Sequence, residues 1–218
     1  MDFKGQTVLV TGANRGLGRV FAQEFVKQGA KVYAGVRNPA SVVDEGVVPV
    51  RLDVSDQVSL EAAAKELGDV SIVVNNAGVL VAGADVDSIK AEFEVNFFGL
   101  VRVTDAFAPI LKANGGGTLV NVLSILSFVG KADWRGYAAS KAAGWSLTNS
   151  TRQALREQGT HVIGVHAGFI DTDMVSDVTA PKIAPEDVVS QVLQAIRNGD
   201  DEVLADDRTR SVKAALAS

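Results

Sequence analysis

Thr11-Gly12-Ala13-Asn14-Arg15-Gly16-Leu17-Gly18 is the stretch that decides how this chain folds. It closes a short apolar run, Thr7–Thr11, and opens into Leu17, Val20, Phe21 and Phe25, which recur at helical spacing. A strand, a glycine-rich turn and a helix therefore succeed one another without a linker. Glycines let such a turn tighten and let backbone approach a pyrophosphate, whose charge the free N–H groups of a helix N-terminus stabilise. Gly12, Asn14, Arg15, Gly16, Leu17 and Gly18 are thus candidate cofactor-binding residues. A glycine-rich turn that holds nothing is the plain alternative.

Outward from this turn, apolar runs alternate with helical patterns. Lys31–Val36, Val48–Leu52, Ser71–Asn75, Thr118–Leu123 and His161–His166 read as further strands, several nearly continuous in Val, Ile and Leu. Such runs are expected when helices cover both sheet faces. Helices are expected from Leu17 to a stop at Gly29, over Asp56–Leu67 with Ser55 or Asp56 as N-cap, and over Gly136–Gln158. Another is expected over Ser88–Ala113, broken near Asn96–Gly99, and a last one begins at Pro185. Strand–helix alternation means an α/β fold with a doubly wound parallel sheet of about seven strands, in one domain over the whole chain. Asn38–Glu45 is too short for a full helix and reads as a loop or single turn, and the polar tail after Leu204 as an extension beyond the last strand.

With 218 residues the chain suits one sizeable core. Its net charge of −5 argues against a nucleic-acid or anionic-membrane surface, which needs a basic patch. No apolar run is long enough to span a bilayer, and Met1-Asp2-Phe3-Lys4-Gly5 leads straight into the first strand, so no cleavable leader is expected. Cysteine is absent, which fits the cytoplasm. His161 and His166 lie in one strand without companions, so no metal site is expected.

Tyr137 and Lys141 stand four apart on a helix, which puts their side chains on one face, about 5–6 Å between Cβ atoms. A phenol titrates near pH ~10. An ammonium beside it favours the phenolate and brings that pKa toward the working range. Alone, the spacing could be accidental. It comes, however, after the glycine turn, after Asp53-Val54 closing the third strand, and after Asn75-Asn76-Ala77-Gly78 following the fourth. Asn96 sits in Val-Asn-Phe-Phe-Gly, and Ser124 follows the fifth strand thirteen residues before Tyr137. In this order and spacing the chain resembles the short-chain dehydrogenase/reductase family over nearly its whole length.

The resemblance implies a Rossmann-type fold and hydride transfer between a nicotinamide dinucleotide and a carbonyl/alcohol pair. It implies Tyr137 as general acid for reduction and base for oxidation, and Ser124 as hydrogen-bond partner of the substrate oxygen. Lys141 would hold the nicotinamide ribose and lower the tyrosine pKa, and Asn96 would complete a proton relay through water. A buried Asn that merely satisfies a helix kink is the alternative for Asn96, and Ser127 is a less well placed rival of Ser124. Asp53 and Val54 would meet the adenine, although Asp53 also reads as a cap near Ser55. Asn75, Ala77 and Gly78 would line the cofactor ribose, while Asn76 ties strands together.

The second strand ends Val36-Arg37, with no acid where a 2′-hydroxyl reader would stand. Arg37 and Arg15 instead suit a 2′-phosphate, so NADP(H) is favoured over NAD(H); two solvated surface arginines are the alternative. After the sixth strand the family commonly has Pro-Gly, but here Ala167 precedes Gly168. Gly168, Ile170 and Thr172 would still reach the nicotinamide, from a less rigid turn. A short lid follows, and Val79–Gly83, Leu126–Trp134 and Phe169–Val178 would wall an open pocket for a small hydrophobic carbonyl or alcohol. The long helices around Phe97–Ala113 and Tyr137–Gln158 would support a homodimer or homotetramer. A 3-ketoacyl-carrier-protein reductase and a non-catalytic NADP(H)-binding redox sensor are the competing readings. Lys131 and Arg135 are few cations for the first, and the sensor tends to lose the tyrosine or lysine kept here. With no Gly-x-Ser-x-Gly elbow, hydrolase chemistry is not expected.

Overall fold

The structure, a computed structural model, describes residues 2–81, 83 and 85–216. Seven parallel strands form one sheet: β1 (Thr7–Thr11), β2 (Lys31–Val36), β3 (Val47–Arg51), β4 (Ile72–Asn75), β5 (Thr118–Val122), β6 (His161–His166) and β7 (Glu202–Leu204). Their order is β3-β2-β1-β4-β5-β6-β7. Side chains of a strand point alternately to opposite faces, and each face here has its own core. Val8 and Val10 of β1 join Phe3, Phe21 and Phe25 on one side, and Leu9 joins Leu60, Val103 and Phe107 on the other.

Helix α1 (Gly16–Lys27) and helix α6 (Pro185–Asn198) build the first layer. Phe25 packs edge-on against Phe3 and stacks on Phe21, with ring centroids 5.2 and 6.4 Å apart. Burying such a ring stabilises the fold by about 1.5–3 kcal/mol. Helix α2 (Gln57–Glu66) and helix α4 (Gly99–Ala113) build much of the second layer. Between the two readings of the α2 cap the structure selects Asp56, whose side chain accepts from Val58 N.

The long helical run expected over residues 88–113 is three pieces. Helix α3 (Val86–Phe93) passes through a π-helical turn, Glu94–Phe98, into α4. A π turn carries one extra residue and is frequent at functional sites; here it sets down Asn96. Helix α5 (Arg135–Ala154) buries Gly136, Ala138, Ser140 and Gly144, and these small residues let it lie close to its neighbours. The polar tail beyond the last strand is not a plain extension but folds into helix α7 (Asp207–Ala215). Asp206 caps it, accepting from Thr209 N at 2.8 Å. No helix of the described residues is long and apolar enough to cross a membrane.

Because β1 has β2 on one side and β4 on the other, the chain reverses its winding there. In open α/β sheets a crevice opens at such a point beyond the carboxyl ends of the strands, and ligands bind in it. The glycine turn follows β1 into that crevice.

Candidate active site

The glycine turn is a cradle that side chains would fill. Gly12 and Gly16 have φ of +67° and +51°, a region costly for L side chains. A Cβ on Gly18 would lie 2.4 Å from the Gly12 carbonyl oxygen and from Asn76 Nδ2. Asn76, as expected, ties strands together, because its Nδ2 donates to Thr11 O at 2.9 Å. Helix α1 begins at N-cap Arg15 without a side-chain cap. An uncapped N-terminus with close backbone approach is what a pyrophosphate needs, so the residues fit a dinucleotide. Leu17 is buried in the core below, and Asn14 is half-buried at the turn.

Arg15 in the glycine turn and Arg37 just past β2 are exposed, and among the described residues neither side chain shares a hydrogen bond or ion pair. Arg37 acts through space on Asp53. Asp53 Oδ1 accepts from Ser55 N (3.0 Å) and Ser55 Oγ (2.6 Å), closing the turn before α2. Burial opposes this charge, yet these hydrogen bonds and the neighbouring arginines leave the carboxyl below its usual range. Val54 packs under Gly99, where a Cβ would meet its Cγ2 at 2.8 Å.

The second half of the site comes from β4, the π turn, β5 and α5. Asn96 exchanges two hydrogen bonds with the Val79 backbone (2.8 and 2.9 Å) and donates to Ser140 Oγ at 3.1 Å. Its carboxamide therefore pins the segment after Gly78 to α5. Gly78 is tight against both, since a Cβ there would lie 3.2 Å from Asn96 Oδ1 and 3.6 Å from Lys141 Nζ. A cavity of about 10 Å³, on the order of one water, is lined by Asn75, Ala77, Asn96 and Lys141 among others. Asn75 is buried; its Nδ2 donates to Asn121 Oδ1 at 2.9 Å, and among the described residues its Oδ1 has no partner.

Tyr137 and Lys141 share a face of the first turns of α5, with the ammonium 5.7 Å from the ring centroid. The expected lowering of the phenol pKa is not what this structure holds: burial pushes Tyr137 up to about 12. Ser124 pulls the other way through a hydrogen bond, and the Glu92 charge adds to the rise. Burial also brings Lys141 down to about 8, while its Nζ donates to Val122 O at 2.9 Å. The ammonium is thus turned to a strand carbonyl and is itself poorly solvated.

Ser124 sits at the mouth of β5 and caps the turn Ile125–Ser127. Its Oγ accepts from Leu126 N at 3.1 Å, and Ser127 Oγ accepts from Ser124 N at 3.3 Å. With a lone pair of Oγ filled from the backbone, the hydroxyl proton is left to give. Ser127 faces inward as the reciprocal half of this capping box, so the structure separates the two serines by role.

Beyond β6, Gly168 N donates to Asp206 Oδ2 at 2.7 Å. The turn that lacks a proline is held from outside by the α7 cap. Ile170 bridges Ile183, and Thr172 Cγ2 lies 3.4 Å from where a Cβ on Gly16 would stand. Trp134 meets Phe169 edge-on at 5.7 Å, and the Lys131 ammonium lies 3.6 Å above the Trp134 ring. These belong to the expected pocket walls; Ala82, in the first wall, lies outside the described residues.

Two residues escaped the sequence reading. Glu92, 2% exposed, accepts from Val81 N at 3.1 Å, and burial raises its carboxyl. Its signal was an acid one helical turn before Asn96, where α3 faces α5. Asp206 left no local signal, because its contact with Gly168 spans distant sequence.

The comparisons agree with this geometry. The family model for short chain dehydrogenase matches residues 6–183. A 3-oxoacyl-[acyl-carrier-protein] reductase of Salmonella typhimurium is 31% identical over 188 residues, 80% of this chain and 77% of that protein. A sorbitol dehydrogenase of Cereibacter sphaeroides is 31% identical over 195 residues, 83% of this chain and 76% of that protein. A crystal structure of a short chain dehydrogenase from Burkholderia cenocepacia in complex with NADP has a TM-score of 0.94 and 38% identity. That match covers 100% of this chain and 95% of the other. With that family model spanning most of the sequence, over a sheet whose central strands end in the glycine turn and the serine turn, the chain belongs to the short-chain dehydrogenase family.

Proposed function

We propose that the protein transfers a hydride between NADP(H) and a small hydrophobic carbonyl/alcohol pair, within a single dinucleotide-binding and catalytic domain. As a family member it is an oxidoreductase acting on the CH–OH group; the substrate class, cofactor preference and residue roles are our reading. The observation that carries it is the meeting of Ser124, Tyr137 and Lys141 on the crevice that the glycine cradle opens.

Gly12, Asn14, Gly16, Leu17 and Gly18 would seat the pyrophosphate, with Arg15 and Arg37 on the 2′-phosphate. Asp53 and Val54 would meet the adenine, Asn75, Ala77 and Gly78 the ribose, and Gly168, Ile170 and Thr172 the carboxamide end. The nicotinamide, when bound, supplies or accepts the hydride. Ser124 donates to the substrate oxygen, where charge develops. Tyr137 gives that oxygen its proton in reduction and removes it in oxidation. Lys141, whose Nζ donates to Val122 O, would hold the ribose hydroxyls, and Asn96 would keep the water-sized cavity beside it in register for proton relay. A homodimer or homotetramer built on α4 and α5 belongs to the same reading. The ring cluster Phe93–Phe97–Phe98 beside α4, with Phe98 45% exposed, supports it. A cytoplasmic location belongs to the same reading, and a cysteine-free chain suits it.

NADP(H) rests on the two free arginines and on the complex named for the 38% identical relative. Following absorbance at the nicotinamide band over a panel of ketones, aldehydes and alcohols should show NADPH-linked turnover of at least one. Tight NADPH binding with no turnover anywhere would favour the sensor. Arg37→Ala is expected to reduce the preference for NADPH over NADH by about tenfold or more in KM ratio, as for the loss of a charge-assisted contact. An unchanged ratio sinks the assignment. The carrier-protein reading is favoured by the Salmonella relative, but Lys131, one of its two docking cations, is folded over Trp134.

A further inference from the structure

His166 is fully buried at the end of β6, directly behind the Ser124 turn. Gly164, two residues back on the same sheet face, leaves room for its ring, since a Cβ there would lie 3.3 Å from His166 Nε2. The imidazole stacks on Phe128 at 4.3 Å and 24°, and meets Trp145 edge-on at 6.3 Å. Its Nδ1 lies 3.2 Å from the carbonyl oxygen of Ser124. That oxygen is an acceptor only, so Nδ1 carries the proton and donates.

The other nitrogen faces the end of the chain. Among the described residues Nε2 has no hydrogen-bond partner, and it lies 3.6 Å from Glu202 Oε1 in β7. Glu202 is held at 2.8 Å by Lys213 of α7, whose ammonium also lies 4.5 Å above both Phe128 and Trp145. The charges around the imidazole are therefore Glu202 from β7, Lys213 from α7 and Lys141 from α5. Burial brings its pKa down to about 4, so the ring is neutral in the working range.

We propose that His166 is a positioning residue for Ser124, and that Lys213, lying over the Phe128 and Trp145 rings that pack on the imidazole, braces it from the carboxyl-terminal segment. The Ser124 carbonyl accepts from Ser127 N at 3.0 Å on one side and from His166 on the other. With that oxygen fixed, Oγ is held where it accepts from Leu126 and donates toward Tyr137. Helix α7 thereby acts on the proton-handling pair without touching substrate. The inference rests on the reading of Ser124 and Tyr137 given above.

The test compares His166→Leu, which keeps bulk and removes the donor, with His166→Asn, whose Nδ2 occupies the donor position. Lys213→Met removes the brace at a half-buried site and spares the core. With NADPH and the best carbonyl of the panel, His166→Leu is expected to lower kcat about tenfold, the order expected for a displaced catalytic group. The KM for NADPH should stay within about twofold, since no cofactor contact changes. Because Ser124 lowers the tyrosine pKa, its displacement should move the tyrosine limb of the kcat–pH profile upward by about one unit. His166→Asn should recover most of both effects, and Lys213→Met should move the limb the same way by less. Equal impairment by Leu and Asn, or an unmoved limb in His166→Leu, overturns the proposal. If His166→Leu does not fold, an unmoved limb in Lys213→Met overturns it alone. Absence of any turnover by the unaltered protein removes the reading of the site and this inference together, whereas normal turnover with unmoved limbs removes only the inference.

Discussion

Tyr137→Phe should lose nearly all turnover and still bind NADPH. The substitution removes one oxygen from a ring whose position in α5 is otherwise unchanged, and leaves Lys141, Ser124 and the glycine cradle in place. Loss of a general acid costs about 10²–10⁴ in rate. The energetics of the site sharpen the expectation. In the cofactor-free protein the phenol is pushed up to about 12, so near neutrality it is a proton holder and almost never a phenolate. It can give a proton in reduction, and it becomes a useful base only when a cation reaches it. In the proposed reading that cation would be Lys141, which burial brings down to about 8 and whose Nζ donates to Val122 O. Stopped-flow turnover and fluorescence titration of NADPH check both halves. A Phe variant with more than a tenth of normal kcat would remove Tyr137 from the chemistry.

Gly18→Ala should damage stability and cofactor affinity together. Its Cβ would sit 2.4 Å from a backbone oxygen, and also from the Asn76 amide that holds β1 to β4. Neither is the flexible end of a long side chain. Overpacking of this kind costs about 1–3 kcal/mol and occasionally more. For a chain of this size that is a fall of roughly 2–12 °C in Tm. The Gly12–Gly18 turn must widen to admit the methyl, so NADPH affinity should fall by more than about tenfold, as for a misplaced binding group. Gly68→Ala is the control, because nothing lies within 4 Å of a Cβ there. Equal melting and equal NADPH titrations for the two variants would refute the close-approach account.

The sheet was legible because its strands are buried on both faces, which writes them as apolar runs. β1, β2 and β6 have the expected bounds, and β3 begins one residue early. The break near Asn96 was visible, but its nature was not. A π turn depends on the contact of Asn96 with Val79, and helical periodicity does not encode an inserted residue. Helix α7 was missed for a related reason: Thr209 is its only buried residue among those described, so no apolar stripe announces it. The positions of Tyr137, Lys141 and Ser124 came from spacing, whereas their electrostatics did not. Spacing places the ammonium beside the phenol but says nothing of how little water reaches either. The supports from Asp206 and His166 are contacts between distant segments, and no local pattern carries them.

The bond from Asn76 to Thr11 joins residues 65 positions apart. During synthesis β1 and the glycine turn leave the ribosome first, yet their neighbour β4 and the amide that closes them come later. At about 5–20 residues per second, the phosphate cradle waits roughly 3–13 s for its last part. Over that interval Val8, Leu9 and Val10 lack one flanking strand, so this amino-terminal hydrophobic stretch is where a nascent chain would most need chaperone cover.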